Sequence, residues 1–347
     1  MPLLTRHSLG GMDSPLLSIS GAVAAEPPDA GVPAHFGEPY AEQRALESSA
    51  GLVDRGHRGV VTISGPDRLS WLHDLSSQHL NALPPHTASQ ALLLSAQGRV
   101  EHHMSLVDDG STVWAHVEPG TAPALTAFLE SMRFMLRVEP ADVTEQYSVL
   151  TLAGPRAGAL IPDGILARAD GPSIDLFVPR DQAGKTAEDL IAAGARPAGM
   201  WAYEALRIAA HVPRLGVDTD DRTIPHEVGW IGTAVHLDKG CYRGQETVAR
   251  VHNLGRPPRR LVMLHLDGSV DRLPAPGSDI TLEGRRAGTT GSAQRHYELG
   301  PIALALVKRN TPVEAELLAD GVAAAQEIIV PPDAGANVQV DLRRTPR

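Results

Sequence analysis

The chain has one cysteine, Cys241, in the run Lys239-Gly240-Cys241-Tyr242-Arg243-Gly244-Gln245-Glu246. A thiolate is a strong nucleophile and a soft metal ligand, and cationic neighbours lower its pKa from about 8.5. Gly240 and Gly244 remove Cβ crowding and permit positive φ, so a tight loop can push the sulfur outward. Lys239 and Arg243 stand where they would favour the thiolate. Gln245 and Glu246 are placed to hydrogen-bond the loop backbone or to hold Lys239, and Tyr242 to pack beneath the loop. The competing reading is a small buried hydrophobe, the commoner fate of an unpaired cysteine. His102 and His103 invite a metal reading, but on a strand adjacent side chains face opposite ways and cannot chelate one ion together. No His-Glu-x-x-His spacing occurs either, so no metal site is assigned.

The elements that must position these residues read as α+β. Residues 1 to about 34 show no sustained hydrophobic period and carry repeated Pro and Gly, so they are expected to form a mobile tail. Residues 41–53 have helical composition, 58–65 alternate like a strand, and Pro66 opens a helix with Leu69, Leu72 and Leu75 on one face. Residues 91–120 divide into two or three strands with turns at 96–98 and 108–110. A helix is expected at 122–134, strands at 147–155 and 173–179, and a helix at 181–195 begun by Asp181 and stopped by Gly194. A further helix follows Gly199, and 227–256 reads as loop-rich. Beyond Gly255-Arg256-Pro257-Pro258 the pattern turns to short strands, a small all-β domain. Strands and helices mix without a βαβα rhythm, which disfavours a doubly wound sheet.

At 347 residues the chain calls for two or three domains. Against 31 Lys and Arg stand 41 Asp and Glu, a net charge of −10, which argues against direct nucleic-acid binding and against an anionic lipid surface. No run approaches the roughly 18 apolar residues of a membrane helix, and no charged n-region precedes an apolar core, so the expectation is a cytoplasmic protein without a membrane partner. A lone cysteine makes no intramolecular disulfide, in keeping with a reducing compartment.

The run Lys239 to Glu246 resembles the signature of the YgfZ family, folate-binding proteins that assist iron-sulfur cluster assembly or repair and are related in fold to the glycine-cleavage T-protein, the folate-dependent aminomethyltransferase. The likeness extends over roughly residues 36–330, through LVDRGHRGVVTISGPDRLSWLHDLSS, WAYEALRIAAHVPRLGVDTDDRTIPHEVGW and RRAGTTGSAQRHYELGPIALALVKR. It implies a folate-binding region of two related subdomains over 35–257, a Greek-key-like β-barrel over 258–333 and a tail over 334–347. The implied ligand is tetrahydrofolate or a derivative. The implied partners are iron-sulfur enzymes or cluster-assembly proteins, with an effect on tRNA modification only through such enzymes. The implied folate contacts are Glu227 to the pterin N–H groups, Trp201 and Trp230 as stacking rings, Arg207 to a folate carboxylate and Arg250 to the glutamate tail. Each has a plainer alternative: a turn carboxylate, core tryptophans, an Arg207–Asp218 pair, a solvated arginine.

Two departures from the T-protein pattern weigh against aminomethyl transfer. Its Gly-x-x-Asp-Asp stretch falls on Gly98-Arg99-Val100-Glu101-His102-His103, which keeps one carboxylate, Glu101, followed by two histidines where acid is expected. A second carboxylate of its central helix falls at Ala209. The expected function is therefore an accessory role for the Cys241 thiol in cluster assembly or repair, the alternative being a tetrahydrofolate-dependent one-carbon transferase that uses Glu101 or another acid.

Overall fold

The computed structural model describes residues 13–335. In chain order the elements are β1 (Val23–Ala24), β2 (Pro33–His35), α1 (Pro39–Ser48), β3 (Gly51–Asp54), β4 (Gly59–Ser64), α2 (Arg68–Leu75), β5 (Ala88–Leu94), β6 (Val100–Asp108), β7 (Thr112–Val117), α3 (Ala122–Ser131), β8 (Glu139–Asp142) and β9 (Tyr147–Ala153). There follow β10 (Leu166–Asp170), β11 (Ser173–Pro179), α4 (Ala183–Ala192), β12 (Arg196–Pro197), α5 (Met200–Ala209), α6 (Gln245–Asn253), β13 (Arg259–Leu266), β14 (Asp279–Leu282), β15 (Arg285–His296), β16 (Gly300–Lys308), β17 (Leu317–Ala319) and β18 (Val322–Ile328). Among the described residues the contacts divide the chain into two compact units, one holding residues 13–68, 83–89 and 105–206, the other 69–82, 90–104 and 207–335.

In the first unit a five-stranded sheet runs β10-β11-β9-β3-β12. Leu52, Leu150, Leu152, Leu176 and Val178 from its strands pack with Leu190 of α4. A second five-stranded sheet runs β5-β6-β7-β4-β8, and β5 and β6 contribute residues to both units. In both sheets the strand that comes first in the chain lies beside the one that comes last, β3 beside β12 and β4 beside β8. The second unit carries a closed barrel ordered β13-β16-β15-β14-β17-β18. Since β14, β15 and β16 follow one another as neighbours while β13 lies beside β16, the order is that of a Greek key. The barrel interior is aliphatic, with Val262, Leu264, Ile280, Ala305, Val307 and Leu317 all buried. The fold is thus α+β with a C-terminal β-barrel. No helix among the described residues is long and apolar enough to cross a membrane.

Several expectations need correction. Residues 13–34 are built into the first unit rather than forming a tail: Leu16, Val32 and Ala34 are buried, and the Ser14 hydroxyl donates to the Asp54 carboxylate at 2.5 Å. Single apolar anchors between prolines leave no period to detect. Residues 1–12, and 336–347 of the expected C-terminal tail, lie outside the described residues. The helix expected over 41–53 ends at Ser48, and 51–54 becomes the buried strand β3. The helix expected to begin at Asp181 starts at Ala183, after a 3-10 turn. The loop-rich stretch 227–256 contains α6, whose buried face is carried by Val248. The strands expected to be short in the barrel include the twelve-residue β15.

Candidate functional site

The stretch 239–246 is held from both ends. Gly244 adopts φ +83° as the N-cap of α6, and a Cβ there would meet Ser95 O at 2.5 Å and Gly98 Cα at 2.9 Å. Gly98, at φ +75° in the β5–β6 turn, would likewise drive a Cβ to 2.7 Å from Thr247 Cβ. Only glycine permits both the left-handed backbone and this close approach. Gly240 is different, with open space where its Cβ would stand, so the motif's glycines serve separate purposes. Glu246 in the first turn of α6 and Arg250 and His252 in the last complement the helix dipole.

Lys239 does not turn its charge toward the thiol. Its ammonium is buried and donates to the carbonyl oxygens of His73 and Ser76 at the C-terminal end of α2, the latter at 2.5 Å, and lies 4.8 Å over the Tyr242 ring. Carbonyls left open by the last helical turn are a natural seat for a cation. Burial pulls the Lys239 pKa down to about 8. The segment before it is laid on the same end of α2: His236 N donates to Ser77 O at 2.9 Å, and the Ser77 hydroxyl to Ala234 O at 2.6 Å. Gln245 Nε2 reaches Lys239 O at 3.4 Å. Tyr242 packs beneath the loop, in one cluster with Leu92, Leu94, Val100, Trp230 and Val248, and burial lifts its hydroxyl pKa to about 12. Arg243, half exposed, pairs with Glu101 at 3.2 Å. Between these anchors Cys241 is exposed. The motif thus leaves its sulfur in solvent while its basic residues are taken up locally.

The remaining predicted residues divide by what already holds them. Glu227 is fully buried; its carboxylate takes two 2.8 Å bonds from Arg259 and one of 3.1 Å from Ile224 N. Arg259 also grips Asp220 at 2.7 and 2.9 Å, and the pair holds the Asp220 carboxyl well below its usual range despite burial. Arg207 donates to Asp218 at 3.0 Å, to Ser292 Oγ at 2.5 Å and to Val212 O, which ties the end of α5 to β15. Asp218 in turn accepts from Arg214 N and Ser292 N, and Gly291 has no room for a Cβ beside it. Trp230 is a core residue, 4.7 Å from the His103 ring. Trp201, in the first unit, is 45% exposed and packs on His35 at 4.7 Å. Arg250 is exposed on α6. Glu227, Arg207 and Trp230 are thus engaged within the protein.

His103 bonds Gln90 at 3.0 Å, and His102, half-buried, has its pKa lowered by burial. Ala209 packs at the edge of the Leu92–Trp230 cluster, where a carboxylate would be out of place. The ion pair to Arg243 therefore engages Glu101, the one carboxylate in the stretch that matches the T-protein acids.

Sequence reasoning missed a buried cluster in the first unit. Asp175 on β11 accepts from Thr151 at 2.8 Å, from Arg55 and Arg168 at 3.1 Å each, and from His116 Nε2 at 2.9 Å. Burial drives the His116 pKa down to about 3, so the ring is neutral and Nε2 carries the donated proton. Burial would raise Asp175, but its partners hold it well below the usual carboxylate range. The four side chains come from β7, β9, β10 and the turn after β3, so no local spacing announces them.

Known proteins place this architecture. Residues 20–167 match the model of the GCVT N-terminal domain, and 259–331 that of the CAF17 C-terminal β-barrel domain. A putative chloroplastic transferase of Arabidopsis thaliana is 25% identical over 82% of this chain and 72% of its own. An aminomethyltransferase of Rubrobacter xylanophilus is 28% identical over 83% and 84%. The crystal structure of the glycine-cleavage aminomethyltransferase T of Bartonella henselae superposes with a TM-score of 0.78 at 20% identity, covering 93% of this chain and 98% of that one, a likeness of fold. Two family models thus match this chain in succession, a GCVT N-terminal domain and a CAF17 C-terminal β-barrel domain, an arrangement consistent with the CAF17/YgfZ family.

Proposed function

We propose that this protein is a folate-binding accessory factor that supports assembly or repair of iron-sulfur clusters in client enzymes through the Cys241 thiol. The observation that carries the reading is the contrast within one site: Cys241 is exposed, while Glu101 is tied to Arg243. A cubane cluster takes four thiolates, so one cysteine cannot hold it alone. The thiolate instead supplies one ligand to a cluster shared with a client, attacks a disulfide, or carries a sulfane sulfur taken from a persulfide donor. In the last case the thiolate attacks the donor's outer sulfur, the donor thiolate leaves, and Cys241 becomes the persulfide. Each route needs the sulfur to reach a second molecule, as an exposed loop allows. Tetrahydrofolate is the ligand proposed for the GCVT-type region.

The second reading is a tetrahydrofolate-dependent aminomethyl or other one-carbon transferase, favoured by the names of the bacterial relatives. Steady-state assay with an aminomethyl donor and tetrahydrofolate separates the two. The accessory reading predicts no turnover above background. Turnover that Glu101→Gln abolishes would establish the transferase.

A further inference from the structure

Beside the cysteine loop lies a recess of about 400 Å³, within the size range of small-ligand sites. Asp238 and Tyr242, which flank Cys241 in the chain, line it, and Cys241 itself stands outside the lining. Its α6 wall presents Gln245, Val248, Ala249 and Asn253. Two side-chain amides, each with donors and an acceptor, are suited to a peptide group. Val248 and the buried Tyr242 supply an apolar floor. No lysine or arginine lines the recess among the described residues; Asp238 adds a carboxylate and His252 an imidazole. The lining therefore disfavours phosphate, a glutamate tail or any other anion, and suits neutral polypeptide.

We propose that this recess is the docking pocket for a short, uncharged segment of client polypeptide flanking the sulfur with which Cys241 exchanges. The inference rests on the reading of Cys241 as the reacting group and adds what selects its partner. In disulfide exchange the Cys241 thiolate attacks one sulfur of the partner disulfide, the new S–S bond forms as the old one breaks, and the departing thiolate takes up a proton from water.

Three probes test it on the full-length protein, with mixed-disulfide formation followed by intact mass. Methyl methanethiosulfonate, too small to need the pocket, reports the thiol alone. The disulfide of N-acetylcysteine amide mimics neutral peptide, and glutathione disulfide is anionic. The expected result is about tenfold faster reaction with the neutral disulfide than with glutathione disulfide, a size typical of local electrostatic selection. Ala249→Phe, which fills the recess, should slow the neutral disulfide about tenfold and leave the thiosulfonate rate unchanged, as expected when oriented docking is lost. Asp238→Lys should narrow the preference for the neutral disulfide more than Glu314→Lys, which makes the same charge change on an exposed barrel loop. If the thiosulfonate reacts while both disulfides respond alike to all variants, the pocket inference is overturned and the thiol reading stands. If Cys241 fails to react even with the thiosulfonate, both fall.

Discussion

The Asp175 cluster and the Cys241 loop are both dense in ionisable side chains, and they use them in opposite ways. Around Asp175 two arginines, a threonine and a neutral histidine converge on one carboxylate with every member buried. Around Cys241 the charges are also paired, Lys239 on α2 carbonyls and Arg243 on Glu101, but the sulfur is left in solvent. The first arrangement satisfies its carboxylate within the chain and serves the fold. The second leaves one sulfur exposed on a loop anchored at both ends, as the proposed function requires.

Removing the Asp175 carboxylate breaks the comparison at its strongest point. Asp175→Ala takes the shared partner from two buried arginines and should cost about 3–5 kcal/mol in urea unfolding. Cys241→Ser, at an exposed position, should stay within about 0.5 kcal/mol of wild type. Equal losses would mean the cysteine is a packing residue after all.

Gly244→Ala comes next. Forcing a Cβ into a left-handed residue 2.5 Å from Ser95 O should destabilise by about 1–3 kcal/mol. Gly240→Ala, with nothing near its Cβ, should change unfolding by less than about 0.5 kcal/mol. A reversed order would contradict the described backbone of the loop.

The smallest effect is a difference in acid sensitivity. His226, on the 3-10 turn before Trp230, is buried, and burial first and His252 second pull its pKa down to about 4 from 6.5. The unfolded chain then binds the extra proton between those values, so this contribution to stability is present above about pH 6.5 and lost as pH falls toward 4. Asp175, with a depressed carboxyl, contributes above its unfolded value near 3.8 and loses that only at lower pH. His116, held neutral in the same way, adds its own loss over this range, so His226→Phe should remove a part, on the order of 2 kcal/mol, of the decline seen between pH 7 and 4. An equal decline in both proteins would remove His226 as the cause.

Legibility in the sequence followed the range of the interactions. The hairpin turns around Gly98 and Gly110, the strands on either side and the all-β end of the chain show in local patterns, because turn chemistry and alternation act within a few residues. The cysteine motif stands out for the same reason. Helix α6 did not, since its nine residues are mostly polar and bury a single valine after a glycine-rich run, although Glu246 near its start and Arg250 and His252 near its end were the available signals. The seating of Lys239 on α2, Glu227 on Arg259 and Asp175 on four partners joins positions from 7 to 166 residues apart, and side-chain type alone does not fix such partners. For this reason Lys239 reads from the sequence as an activator of the thiol and is, in the fold, an anchor of the loop that carries it.

The most direct test of the central claim is complementation of a strain lacking its own relative of this protein, with wild type and Cys241→Ser accumulating equally, scored by the activity of an iron-sulfur enzyme. The account predicts that wild type restores that activity and the serine variant does not. Full rescue by the serine variant would contradict it and move the search for chemistry away from the thiol.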